Sequence, residues 1–225
     1  MDLPRYYYAG EFAPFEDLFH TAGARPVVFE AGDYLTGPGK WTGQCYYVQK
    51  GLHILSGGRA WDSRSFFWIY GPGSLFPFVC SPATPPWDPP LAARAVTQVE
   101  ALVLSTETLT SLTRENGDLA LAALRHYSDL QYLNMVQRVF QSREDSLFKV
   151  GSFLYMYSQA QPEDDRFHLT QEQVGSFVGL SRMQISRVFR ELRENGFIAT
   201  GRNWVQVTDP DGLRDWCLEL MEREE

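Results

Sequence analysis

The sequence predicts an α+β chain in three parts: an N-terminal antiparallel β-roll, a long dimerisation helix and a C-terminal winged helix-turn-helix. Three observations carry this. Short β-branched and aromatic runs alternate with Gly/Pro turns through the first half. Apolar residues then recur every three or four positions from Asp118 to Phe140. Two capping signatures flank a glycine between Thr170 and Gln184. The expected boundaries are 1–115, 116–142 and 143–225.

Each strand is read from its turn. Val27-Val28-Phe29 precedes Gly32-Asp33, and Cys45-Tyr46-Tyr47-Val48 precedes Lys50-Gly51. Leu52-His53-Ile54-Leu55 ends at Gly57-Gly58, and Phe66 to Tyr70 ends at Gly71-Pro72-Gly73. Turn glycines between apolar runs argue an antiparallel barrel or sandwich. The segment Ser81 to Pro90 breaks the rhythm. Its prolines have no N–H to give to a ladder, so it reads as a stiff loop.

The long helix carries a heptad-like seam of Leu119, Ala123, His126, Leu130, Leu133, Gln137 and Phe140. Such a seam predicts a homodimer, with polar His126 and Gln137 fixing register. A second helical stretch, Ser146 to Gln159, precedes the acidic Gln161-Pro162-Glu163-Asp164-Asp165, an expected hinge.

Thr170/Gln173 and Ser181/Gln184 are both Ser/Thr-x-x-Gln capping boxes, and Gly179 between them suits a turn. In the second helix Ile185, Val188, Phe189 and Leu192 fall at i, i+3, i+4 and i+7, an inward stripe. Arg182, Met183, Ser186, Arg187 and Arg190 fall on the other side. Asn195-Gly196 stops the helix. Two short runs around Gly201-Arg202-Asn203 then read as a hairpin, the wing. The whole chain carries net charge −8, yet residues 166–207 hold six arginines against three glutamates, net +3. A basic island in an acidic chain is the footprint of a phosphate-binding face. The predicted DNA-contacting residues are Thr170, Gln171, Ser181, Arg182, Met183, Gln184, Ser186, Arg187, Arg190 and Arg202. Arg182 and Arg187 suit base edges, and Arg202 suits phosphate.

Other function classes lose support. No paired-carboxylate motif, Ser/His/Asp spacing, zinc signature or phosphate-cradling loop argues for an enzyme. No cofactor and no metal are expected. Cys45, Cys80 and Cys217 are too few and too scattered for an iron–sulfur cluster or a disulfide framework, as in a reducing cytoplasm. Met1 to Phe12 lacks a signal-peptide pattern, and no apolar run spans a bilayer. The expected location is therefore cytoplasmic.

With Tyr46-Tyr47-Val48-Gln49-Lys50-Gly51, Gly71-Pro72-Gly73-Ser74 and the run Leu169 to Arg190, the chain resembles the cyclic-AMP receptor / fumarate-nitrate regulator (Crp/Fnr) superfamily. The resemblance implies a cyclic-nucleotide-binding-like β-roll, a dimerising helix and a DNA reader on a near-palindromic operator, with RNA polymerase as a further partner. It implies base and phosphate contacts at Arg182, Met183 and Arg187. Many members carry glutamate where Met183 stands, which points to a different target sequence. The nucleotide-binding cassette is also altered. Its acid is missing after Gly73, and Arg94 lacks an adjacent Ser/Thr. Cyclic AMP is therefore not the expected effector. A planar or apolar molecule is expected instead, on Trp61, Trp68, Phe76, Phe78 and Trp87, with Tyr127, Gln131 and Asn134 as polar handles. Two alternatives stand beside it: a vestigial effector domain that leaves DNA binding ligand-free, and a haem gas sensor using His53 or His126.

Overall fold

The computed structural model describes residues 7–37, 42–57, 67–77, 91–142, 145–160, 166 and 169–222. These fall into two compact units, one within 7–132 and one from 133 onward.

The first unit is built from two sheets. One has the order β1-β6-β5-β8-β3, from Tyr7–Tyr8 (β1), Tyr34–Thr36 (β3), His53–Gly57 (β5), Phe67–Tyr70 (β6) and Leu91–Ala95 (β8). The other has the order β2-β9-β4-β7, from Arg25–Phe29 (β2), Gln44–Lys50 (β4), Leu75–Phe76 (β7) and Val99–Ser105 (β9). All pairs are antiparallel except β1 with β6. The strands read from the sequence are present, and the fold class is the α+β class expected.

Strand β4 shows why its run Cys45 to Val48 is continuously apolar: all four residues are buried, so neither face meets water. Cys45 and Tyr47 join Phe12, Phe19, Leu75, Leu102, Leu104, Leu109 and Leu119 in one core cluster. The Tyr46 ring instead meets Phe29 at 5.6 Å. Two short helices that the sequence reading passed over help close this core. They are α1 (Glu16–Thr21), which contributes Phe19, and α2 (Thr106–Glu115), which contributes Leu109. The signal for α2 was there: Ser105 is an N-cap whose side chain accepts from the Thr108 N–H at 3.0 Å.

Helix α3 runs Gly117–Ser142. Its inner face corrects the predicted dimer seam. Leu119 lies in the core cluster, and Ala123 is buried at 7% exposure. His126 sits edge-on to Tyr8 (5.7 Å) and Phe12 (5.4 Å). These three stripe residues cover their own β-roll, so they are not surface for a partner. Leu130 is half-buried. The side chains of Leu133, Gln137 and Phe140 lie outside the described residues. On the opposite side Leu121, Leu124 and Tyr132 are exposed at 44%, 64% and 68%, and Tyr127, on the flank one turn after Ala123, at 51%.

The second unit holds α4 (Ser146–Ala160), α5 (Gln171–Val178), α6 (Arg182–Glu194), the hairpin β10–β11 (Ile198–Gly201 and Trp204–Val207) and α7 (Pro210–Glu222). The sequence reading also missed α7, whose proline stands at its first position and whose Asp209 accepts from the Gly212 N–H at 3.0 Å. It packs on α4 with Cys217 buried, and burial pushes that thiol's pKa up to about 12. A thiol so hard to ionise is a core residue, with no reactivity to offer.

Candidate nucleic-acid interface

Two capping boxes fix the start of both helices. At α5 the Gln173 N–H donates to Thr170 Oγ1 (3.1 Å), and the Thr170 N–H donates to Gln173 Oε1 (2.8 Å). At α6 the Gln184 N–H donates to Ser181 Oγ (3.4 Å), and the Ser181 N–H donates to Gln184 Oε1 (3.0 Å). Gly179 closes α5 at φ +70°, a left-handed conformation that side chains resist. Gly175 has a different job. A Cβ there meets the Leu180 carbonyl oxygen at 2.7 Å and Ile185 Cγ1 at 3.3 Å. Its missing side chain is what lets α5 and α6 approach so closely.

The capping geometry refines one predicted contact. The Ser181 hydroxyl and N–H both donate to Gln184 Oε1, at 2.8 and 3.0 Å. Gln184 therefore keeps its amide N–H groups, and not its carbonyl, for an outside partner.

Helix α6 separates into the two faces read from its spacing. Ile185, Val188, Phe189 and Leu192 are each at most 2% exposed. Arg182, Met183, Gln184, Ser186, Arg187 and Arg190 are all exposed, with Met183 at 83%. Thr170 and Gln171 are half-exposed at the start of α5, and Ser181 is exposed. No hydrogen bond or ion pair among the described residues occupies Arg182, Arg187, Arg190 or Arg202. No described residue therefore neutralises the cationic face.

The wing follows at once. Asn195 caps α6, and Gly196 takes φ +78°. Strand β10 pairs with β11 from Ile198↔Val207 to Gly201↔Trp204. Arg202 and Asn203 make the two-residue turn, with Asn203 at φ +64° and Arg202 exposed. Arg193 Nη1 donates to Thr200 Oγ1 at 3.0 Å, tying the last turn of α6 to the wing. The Trp204 indole lies over Gly201, and the Arg166 guanidinium sits 4.9 Å from its ring centroid. Trp204 and Arg166 were not among the predicted site residues. Their signal, an Arg and a Trp 38 positions apart in the sequence, only the fold brings together.

A cleft of about 370 Å³ opens where these parts meet. It is lined by the N-cap Thr170 with Gln171 and Glu172 of α5, Arg182 of α6, and Thr200, Gly201, Asn203 and Trp204 of the wing. Of the predicted contact residues, Thr170, Gln171 and Arg182 line this cleft, and Arg202 at the wing turn does not.

The predicted effector residues are not gathered in this way. Trp61, Phe78 and Trp87 and the 81–90 loop lie outside the described residues, as does the side chain of Asn134. Trp68 is half-buried on β6, and Tyr127 and Gln131 are exposed on α3. Phe76 corrects the expectation of a stacking surface: it is buried in the core against His53 (5.5 Å) and Tyr70 (5.2 Å). His53 is fully buried and stacked on Tyr70 at 5.1 Å, and burial lowers its pKa to about 3. Neither His53 nor His126 offers an exposed ring to an axial iron. Arg94 donates to the Gly32 carbonyl at 2.6 Å and lies over the Tyr34 ring at 5.7 Å, held by its own unit.

A β-roll unit is followed in the chain by a winged helix-turn-helix. Residues 149–216 match the model of the Crp-like helix-turn-helix domain. Solved structures of the same fold include a Crp/Fnr-family transcriptional regulator, TTHA1359 of Thermus thermophilus. It is 20% identical, with TM-score 0.69, over 86% of this chain and 98% of that one. FixK2 of Bradyrhizobium japonicum is 16% identical with TM-score 0.67, over 85% and 96%. The c-di-GMP-responsive global regulator CLP of Xanthomonas campestris is 18% identical with TM-score 0.70, over 86% and 98%. Comparison with curated protein sequences gives no match. Residues 149–216 thus carry a Crp-like helix-turn-helix domain, on a chain that shares its fold with solved Crp/Fnr-family regulators. No described helix is long and apolar enough to cross a membrane.

Proposed function

We propose that the protein is a homodimeric regulator that reads a near-palindromic operator with α6 and responds to a small effector other than cyclic AMP. One observation carries the reading of α6. Its polar face, with Arg182, Arg187 and Arg190, is exposed and unneutralised by described residues, opposite a fully buried apolar face. Arg182 and Arg187 take base edges, and Arg202 at the wing turn takes phosphate. Thr170, Gln171, Ser181, Gln184, Ser186 and Arg190 supply the remaining backbone and groove contacts.

The dimer reading moves to the outer face of α3. Leu121, Leu124 and Tyr132 are the exposed large hydrophobic side chains there among the described residues. A second copy covers them with the same patch, as a two-fold contact requires. Sedimentation tests it: Leu124→Glu yields monomer at micromolar concentration, and an unchanged dimer refutes this seam.

Against cyclic AMP stands the engagement of Arg94 by Gly32 and Tyr34, which draws that guanidinium away from a phosphate. A buried phosphate with no cation is too costly to bind. An apolar or aromatic effector fits the aromatic-rich sequence of the β-roll. Calorimetry with cyclic AMP, cyclic GMP and c-di-GMP is expected to give no heat of binding. Micromolar binding to any of them defeats the reading.

DNA reading is tested by anisotropy on a selected operator. Arg182→Ala and Arg187→Ala are each expected to cost roughly 1–3 kcal/mol, the worth of one bidentate pair to a base edge. Unchanged specific binding in both variants refutes the assignment.

A further inference from the structure

We infer that Met183 is a specificity-determining residue of this DNA reader, and that the group it takes is the 5-methyl of a thymine. The inference rests on α6 being the recognition helix. Met183 is the second residue of α6 and is 83% exposed, whereas the other large apolar residues of that helix are buried. Its helical neighbours at i+3, i+4 and i+7 are Ser186, Arg187 and Arg190, all exposed. One apolar side chain therefore heads a row of polar and cationic ones. The Ser181–Gln184 capping box fixes the turn that carries it.

The chemistry of the major groove separates what such a row can read. Guanine presents two acceptors, which suit arginine. Cytosine presents an N4 donor, which needs a carboxylate or another acceptor. Thymine presents a methyl group, which needs an apolar partner. The thioether of Met183 is at best a weak acceptor, and its terminal methyl is apolar. It matches the third edge and fails the other two. Four residues of helix span about 6 Å, and base pairs rise about 3.4 Å. The thymine read by Met183 therefore lies about one to two base pairs from the guanine read by Arg187.

Deoxyuridine supplies the test, because it removes the methyl and leaves every hydrogen-bonding group in place. The full chain selects duplexes from a random-sequence library, with and without the small-molecule filtrate of a bacterial lysate. Each thymine of the selected half-site is then replaced by deoxyuridine. One replacement is expected to weaken binding about fourfold per half-site, the worth of one buried methyl. Met183→Ala is expected to weaken binding to the thymine duplex by at least that factor and to erase the thymine-over-uracil preference. Met183→Glu is expected to move the preferred base at that position from thymine to cytosine. Thermal melting of both variants stays at the parent value, since the side chain is outside the core. If every deoxyuridine duplex binds like its parent, or if Met183→Ala keeps the uracil penalty, the inference is overturned and α6 stands as the reader. Selection that returns no preferred sequence overturns the reading of α6 itself.

Discussion

Helices α6 and α3 bury one face by the same spacing and differ in what they show on the other. In α6 the inward stripe is Ile185, Val188, Phe189 and Leu192, and the outer face carries three arginines. In α3 the inward stripe begins Leu119, Ala123, His126, yet the outer face holds Leu121, Leu124 and Tyr132. A helix with a single apolar face has one way to pack. A helix with two apolar faces has two, and its spacing alone does not say which meets its own domain. The difference underlies the roles proposed for the two helices: a charged outer face suits a charged polymer, and an apolar one suits a protein partner.

The largest expected effects separate buried from exposed positions within each helix. Phe189→Ala is expected to cost about 3–5 kcal/mol and Leu119→Ala about 2–5 kcal/mol, both from the burial removed and the cavity left behind. Arg125→Ala and Arg187→Ala, both at exposed positions, are expected to stay within about 0.5 kcal/mol of the parent in folding. Urea denaturation of the four variants decides it, and a large destabilisation at Arg125 breaks the comparison.

Next in size is a pH effect under the inner face of α3. His126 touches Tyr8, Tyr8 stacks on Tyr70, and Tyr70 stacks on His53. Burial holds His53 at a pKa of about 3, against the usual 6.5. Between those values the unfolded chain binds a proton that the folded chain refuses. Stability is therefore full above the usual value and falls as pH drops toward the lowered one, with a slope of up to about 1.4 kcal/mol per pH unit. Denaturation midpoints of His53→Phe across this range are expected to lack that part of the slope. An identical profile in parent and variant breaks the assignment.

Smaller effects sharpen the account of α6. Ser181→Ala removes the N-cap acceptor and is expected to cost about 1 kcal/mol of stability. Ser181→Asp, which keeps an acceptor, is expected to restore most of it. Arg202→Ala is expected to weaken all DNA sequences alike and to lower the slope of log K against log salt by about one. A weakening confined to one sequence shows a base contact in place of a phosphate contact.

The DNA-reading unit was legible almost residue by residue because its signals are local. Each capping box spans four residues, the glycine turn joins neighbours, and the wing pairs strands across two residues. The strands of the β-roll were legible from their turns. Helices α1, α2 and α7 were passed over, although Ser105 and Asp209-Pro210 announce two of them. Phe76 was misplaced because an aromatic in a strand reads alike whether it faces a pocket or a core.

The sequence by itself determined the order of parts, both faces of α6, the caps, the wing and the basic island. Each follows from covalent neighbours and helical or strand periodicity. Only tertiary structure decided which stripe of α3 is taken by the β-roll, that Arg94 is held by Gly32 and Tyr34, and that Arg166 sits over Trp204. Those depend on residues far apart in the chain, and periodicity carries no information about distant partners.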